Sequence, residues 1–109
     1  MDALLFSSNS DENAMLRLAL QRAGFSVRIS TDFDKITSSW NENSVDLFVF
    51  AFPKNELRLS ALKQLRAVAP IPFIVISEYK NEDDYVALLD GGVDLVVFRP
   101  YSLRVFIAQ

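Results

Sequence analysis

The chain has 109 residues, half of them hydrophobic and 23% charged, which suits one folded domain and not a disordered segment. It has no cysteine and no histidine, which excludes a disulfide framework, a thiolate metal site and histidine-based catalysis. Its net charge of −3 argues against nucleic-acid binding, and no apolar run approaches the ~20 residues of a membrane span. With no signal peptide recognisable, we expect a cytoplasmic domain without membrane contact.

The first half of the chain alternates strand and helix patterns. An apolar run at residues 3–6 predicts a strand, and residues 27–30 alternate as an edge strand would. A helix is predicted between them, with Asn9 as N-cap and Glu12 three residues later in a capping-box arrangement, and it ends at Gly24. A weaker helical pattern and a buried strand follow, at residues 34–43 and 46–51.

The second half repeats this alternation. Residues 57–68 carry a helical stripe that stops before Pro70, and a strand pattern follows at residues 73–77. Further along, the chain predicts a helix at residues 81–90, a strand at 95–98 and the start of a fifth helix at 102–109.

Five strand–helix repeats indicate an α/β domain with a doubly wound parallel sheet. Strands that are apolar throughout are typical of sheets covered by helices on both faces. Ligands of such sheets bind at the carboxyl ends of the strands, near the point where the strand order reverses. The residues at these ends are Ser7 and Ser8, Ala51, Ser77 and Arg99.

Two spacings and one segment make the chain resemble the receiver domain of two-component response regulators over essentially its whole length. The interval from Ser7 to residues 24–27 (GFSV) is similar to the family's interval from its acidic pair to a GYxV segment. The interval from Ser77 to Arg99 is similar to the family's interval from Thr or Ser to Lys-Pro. Between them, residues 89–94 (LDGGVD) resemble an LxAGAxD segment. The resemblance implies a five-stranded sheet of the flavodoxin and CheY type, with strand order 2-1-3-4-5.

Most of the functional residues implied by the resemblance are replaced in this chain. Ser7 and Ser8 occupy the positions of the two acidic residues that hold Mg²⁺, and Ala51 occupies that of the phosphoacceptor aspartate. No aspartate lies between Asp46 and Asp83. Ser77 is retained as the family's Thr or Ser. The remaining replacements are Arg99 for the lysine and Val96 for the aromatic residue of the fifth strand.

These replacements predict a domain that is neither phosphorylated nor catalytic. Mg²⁺ prefers carboxylate oxygens, and serine hydroxyls compensate poorly for the free energy needed to remove its water ligands. Without a metal or an acceptor, phosphoryl transfer lacks both charge neutralisation and a nucleophile. Asp46 cannot act as acceptor, since five strand residues place it roughly 16 Å from Ala51. We therefore expect no catalytic residue, no metal and no cofactor.

The remaining polar residues at the strand ends have alternative interpretations. Arg99 either forms a salt bridge, for which Glu78 on the neighbouring strand is the candidate partner, or binds an anion. Ser77 is either a relic of the switch or a strand-end serine bonded to a loop. Asp11 and Glu12 lie in a first helical turn, where the helix dipole favours acidic residues in any case.

The predicted function is a phosphorylation-independent regulatory domain that binds a protein partner or forms a homodimer. In the family, such contacts often use the fourth helix, the fifth strand and the fifth helix. The corresponding residues here are Val86, Leu89, Val97, Tyr101, Leu103 and Arg104. We also expect residues 1–109 to be the N-terminal part of a longer signalling or transcription regulator, with a possible DNA-binding domain beyond them. The alternatives are a flavodoxin-like domain that binds a small ligand or anion, and an active receiver that uses an unusual phosphoacceptor such as Ser77.

Overall fold

A computed structural model of the chain describes residues 1–40, 44–53, 59–78 and 81–101. The strands are β1 (Asp2–Phe6), β2 (Ser26–Ser30), β3 (Leu47–Ala51), β4 (Phe73–Ser77) and β5 (Leu95–Phe98). All pair in parallel, in the order β2-β1-β3-β4-β5. The doubly wound fold predicted from the sequence, including this strand order, is confirmed.

The helices are α1 (Ser10–Arg22), α2 (Phe33–Ser39), α3 (Leu59–Val68) and α4 (Glu82–Asp90). Three of them start with a side-chain cap: the Oδ1 atoms of Asn9, Asp32 and Asn81 accept hydrogen bonds from backbone N–H groups three residues later, at 2.9, 3.2 and 2.8 Å. None of the described helices is long and apolar enough to cross a bilayer.

Some sequence predictions reach beyond the described residues. The predicted fifth helix, with Leu103 and Arg104, lies outside them, as do the predicted start of α3 at Leu57 and the predicted end of α2 at residue 43. Helix α2 is observed to end at Ser39, with Trp40 as its C-cap residue.

The strands bury different side chains on the two faces of the sheet. One face packs against α2, α3 and α4, and six phenylalanine rings lie there with neighbouring centroids 5.2–6.5 Å apart. Phe33 belongs to this cluster with 1% of its surface exposed, and Trp40 packs on Phe48 at 5.4 Å. The other face packs against α1. Because side chains alternate along β3, Ala51 belongs to that second face.

Candidate functional site

The carboxyl ends of β1, β3 and β5 meet at a cleft of about 580 Å³. Parallel pairing brings these ends to one edge of the sheet: Ala51 pairs with Ile76, and Ser77 pairs with Phe98 directly before Arg99. Ser7, Ser8, Ala51 and Arg99 all line the cleft, as their positions at the strand ends predicted. The other described lining residues are Asn9, Asp11, Glu12, Met15, Pro53 and Glu78.

Arg99 forms a two-pronged ion pair with Glu12 across this cleft. Its Nε donates to Glu12 Oε2 at 2.8 Å, and its Nη2 donates to Glu12 Oε1 at 2.7 Å. Its Nη1 donates to the backbone carbonyl of Phe52 at 2.6 Å. Only a guanidinium can serve a carboxylate with two parallel N–H groups and still reach a third acceptor; a lysine ammonium lacks this planar fork. The pair therefore joins the start of α1 to the ends of β3 and β5.

The predicted salt bridge between Arg99 and Glu78 is present but secondary. Glu78 Oε1 lies 3.8 Å from Arg99 Nη1, beyond hydrogen-bond distance, whereas both Glu12 contacts are below 3 Å. The predicted partner is thus confirmed as a weak contact, and the sequence did not indicate that Glu12 is the closer one. Glu12 reaches Arg99 from the first turn of α1, which lines the cleft, and aligns both of its oxygens with the guanidinium.

Ser7 explains why the Glu12 side chain is available to Arg99. In a complete capping box, the carboxylate at Glu12 would accept the backbone N–H of the N-cap residue Asn9. Instead, the Ser7 hydroxyl accepts that N–H at 3.3 Å. The Asn9 side chain still caps the backbone of Glu12. The sequence thus predicted the N-cap correctly but misassigned the carboxylate of Glu12.

Tyr101 completes the network. Its hydroxyl donates to Glu12 Oε2 at 3.1 Å. Burial, reinforced by the Glu12 carboxylate, raises the pKa of the Tyr101 phenol above its ordinary value of 10.0. The hydrogen bond to Glu12 is the largest of the influences that raise the pKa of Arg99 above its ordinary value, against the opposing effect of burial. Both shifts favour the protonated forms that donate to Glu12.

The magnesium ion implied by the resemblance does not fit the donors at this site. Ser7 is 1% exposed and its hydroxyl is engaged by Asn9, while Ala51 has no side-chain oxygen. Glu12 is committed to Arg99. In the described part of the chain, no three acidic side chains lie close enough together to hold a metal ion.

The two remaining polar candidates do not line the cleft. Ser77 is nearly buried, is not among the described lining residues, and its hydroxyl donates to the carbonyl of Glu78 at 3.3 Å. Asp46 lies at the opposite end of β3, where its Oδ2 accepts from the backbone N–H of Asp2 at 2.7 Å.

The described members of the predicted interaction face lie in two environments. Val86 and Leu89 are exposed on α4. Val97 and Tyr101 are half-buried and pack against the core on the α1 face of the sheet. Val96, at the position of the family's aromatic residue, packs against the phenylalanine-rich face.

Comparison with known proteins places this geometry in context. No protein-family model matches the chain. The sensory transduction protein RegX3 of Mycobacterium tuberculosis is 29% identical over 100 residues, a match that covers 86% of this chain and 42% of RegX3. The chain thus spans about two fifths of the length of the curated relatives it matches.

Solved structures match over almost the whole chain. An orphan response regulator of H. pylori, HP1043, has a TM-score of 0.85 and 22% identity, with 99% of this chain and 91% of that chain covered. The chain has the receiver-domain fold. A response regulator from Burkholderia pseudomallei, solved with a phosphorylated aspartic acid and a calcium ion, has a TM-score of 0.81 and 19% identity, covering 98% of this chain and 64% of that one. The receiver fold is therefore shared with proteins that do carry phosphoaspartate.

Proposed function

We propose that this chain is a phosphorylation-independent receiver domain that acts through protein contact, without catalysis, in a cytoplasmic signalling or transcription regulator. The supporting observation is the ion pair between Glu12 and Arg99. It lies at the edge of the sheet where a phosphorylated receiver would need an acceptor, a metal and a free cation.

Each component of phosphoryl transfer has a structural obstacle here. Ala51 offers no nucleophile, and the Ser7 and Ser8 hydroxyls are poor ligands for a hard cation. The cation at the end of β5 is already neutralised, because Glu12 and the Phe52 carbonyl occupy all three nitrogens of Arg99. An incoming phosphoryl group would have to displace an intramolecular carboxylate.

The proposal predicts that a small phosphodonor leaves the protein unmodified. The purified chain is incubated with acetyl phosphate and Mg²⁺, and its intact mass is followed over time. The Burkholderia pseudomallei response regulator serves as positive control, since its structure contains a phosphorylated aspartic acid.

A mass increase of one phosphoryl group that requires Mg²⁺ would overturn the proposal. If it then disappeared in Ser77→Ala, Ser77 would be the acceptor and the domain an active receiver. The hydrogen bond from Ser77 to the Glu78 carbonyl argues against that alternative, because the hydroxyl is nearly buried and faces the loop.

The role of the longer protein is also a proposal. RegX3 carries the name of a sensory transduction protein, and the match covers 42% of its length. We infer that a further domain, such as a DNA-binding one, follows this chain in the intact regulator. In this arrangement the receiver domain would supply contacts to a partner or to a second copy.

A further inference from the structure

The exposed side of α4 combines apolar and acidic side chains. Tyr85, Val86 and Leu89 are 36%, 46% and 43% exposed, and their spacing of three and four residues places them together on one face of the helix. Acidic residues share or border this face. We call the α4 surface the set formed by Tyr85, Val86, Leu89, Glu82, Asp83 and Asp90.

The apolar part of the α4 surface has a fixed position. Leu88, on the opposite side of the helix, is 2% exposed and anchors α4 to the core. The Tyr85 ring meets the ring of Phe98 edge-on at 5.1 Å, which joins the surface to β5 at the edge of the sheet. The apolar residues therefore form a preorganised patch.

Negative charge is concentrated in this part of the chain. Residues 81–98 contain five of the 14 acidic residues and none of the 11 basic ones, so the rest of the chain is basic on balance. Asp94 has structural partners: it accepts from the backbone N–H of Phe73 at 2.8 Å and lies 3.5 Å from Arg66. Glu82, Asp83 and Asp90 are exposed and give the α4 surface its negative potential.

We propose that the α4 surface binds a partner-protein segment in which apolar residues are flanked by lysine or arginine. This rests on the proposed function as a protein-contact domain and specifies the chemistry of the partner. Apolar side chains would cover Val86 and Leu89, and the basic groups would pair with the acidic rim, which favours encounter and orientation.

The same charges disfavour the other occupants of this surface. A symmetric contact between two α4 helices would bring the acidic rim of one copy against that of the other. Nucleic acids and anionic lipids would be repelled by the acidic rim.

Two matched amphipathic helical peptides test this proposal. One has leucine and lysine, and the other has leucine and glutamate at the lysine positions. Each is titrated into the isotope-labelled chain while backbone amide shifts are recorded. We expect the lysine peptide to shift the amides of residues 82–90, and the glutamate peptide to bind at least about tenfold more weakly. Raising the salt from about 0.05 M to about 0.5 M should weaken the lysine complex.

Substitutions separate the apolar from the electrostatic contribution. Val86→Ser and Leu89→Ser should each weaken the binding of the lysine peptide by about tenfold, as expected when a central apolar contact of an interface is removed. The matched control is Leu18→Ser, which removes a leucine of 47% exposure from α1, on the other face of the sheet. Asp83→Asn and Asp90→Asn should reduce the salt dependence of the affinity for the lysine peptide, whereas Asp11→Asn on α1 should leave that salt dependence unchanged.

Several results would overturn the inference. These are equal binding of the two peptides, absence of binding, shifts that map to α1, or an effect of Leu18→Ser as large as that of Val86→Ser. Self-association seen by light scattering and abolished by Leu89→Ser would assign the surface to a second copy instead. None of these outcomes depends on the phosphodonor assay, so failure here would be distinguishable from failure of the proposed function.

Discussion

The substitution Glu12→Gln tests whether the ion pair with Arg99 stabilises the domain. Glutamine keeps the size of the side chain and one carbonyl acceptor but removes the negative charge. The Arg99 and Glu12 side chains are only 19% and 12% exposed, so water can replace the lost partner only in part. Removing one partner of a fully buried pair costs about 3–5 kcal/mol, and exposed pairs contribute about 0–1 kcal/mol.

The expected loss for Glu12→Gln lies between these limits. Arg99 would keep its hydrogen bond to the Phe52 carbonyl and the more distant carboxylate of Glu78 at 3.8 Å. Tyr101 would keep an oxygen acceptor at position 12. We therefore expect the free energy of unfolding to fall by about 2–3 kcal/mol.

Asp11→Asn is the matched control. It removes one negative charge from the same first turn of α1, at an exposed neighbouring position. Its cost should be limited to the helix-dipole contribution of about 0.3–1 kcal/mol. Urea unfolding at neutral pH measures both variants, and each kcal/mol corresponds to about 4 °C in thermal midpoint for a domain of this size.

Equal destabilisation by Glu12→Gln and Asp11→Asn, within about 0.5 kcal/mol, would refute the reasoning, since Glu12 would then act only through the helix dipole. A double-mutant cycle with Arg99→Met isolates the pairwise contribution. We expect a coupling free energy above about 1 kcal/mol between positions 12 and 99.

Two further predictions concern the groups bonded to Glu12. Phosphate should not raise the thermal midpoint of the wild-type chain relative to chloride at equal ionic strength, because Glu12 already occupies Arg99. In Glu12→Gln, phosphate should raise the thermal midpoint. Stabilisation of the wild-type chain by phosphate would instead support an anion-binding domain. Tyr101 has a pKa raised mainly by burial, so its contribution to stability is complete below the unfolded pKa of 10.0 and is lost as pH rises above it. Tyr101→Phe should therefore lose less stability between pH 9 and pH 11 than the wild type in urea unfolding, and equal losses would contradict this.

Local patterns predicted the fold because each helix and strand has a recognisable sequence pattern over a few consecutive residues. The bounds of β4 and β5 agree with the apolar runs at residues 73–77 and 95–98. Asn9 and Asn81 mark the starts of α1 and α4 because their side chains cap backbone N–H groups three residues on. Parallel pairing then places the strand ends, and with them the candidate site, at one edge.

The partner of Arg99 could not be predicted in the same way. Glu12 and Arg99 are 87 residues apart, and Glu12 had two local explanations, the capping box and the helix dipole. Glu78 was favoured because adjacent strands bring it near, but proximity does not fix the orientation of its oxygens. The signal in the sequence was the serine at position 7, which can take the N-cap N–H and release Glu12 for a distant contact.

The replacements at the strand ends and the ion pair depend on one another. Carboxylates at positions 7 and 8 would repel Glu12 and compete with it for Arg99, and an aspartate at position 51 would add a further negative group beside the same guanidinium. With serines and alanine there, Glu12 is the anion that neutralises Arg99 in a largely buried setting. The Glu12 carboxylate is always present beside Arg99 at a high effective concentration. An anion from solution must therefore compete with Glu12 in order to bind Arg99. On the proposed function, a cleft of this kind holds α1 and β5 in one arrangement and cannot report phosphorylation. Regulation must then act through contact of a partner with a surface of the domain, and the α4 surface is the candidate.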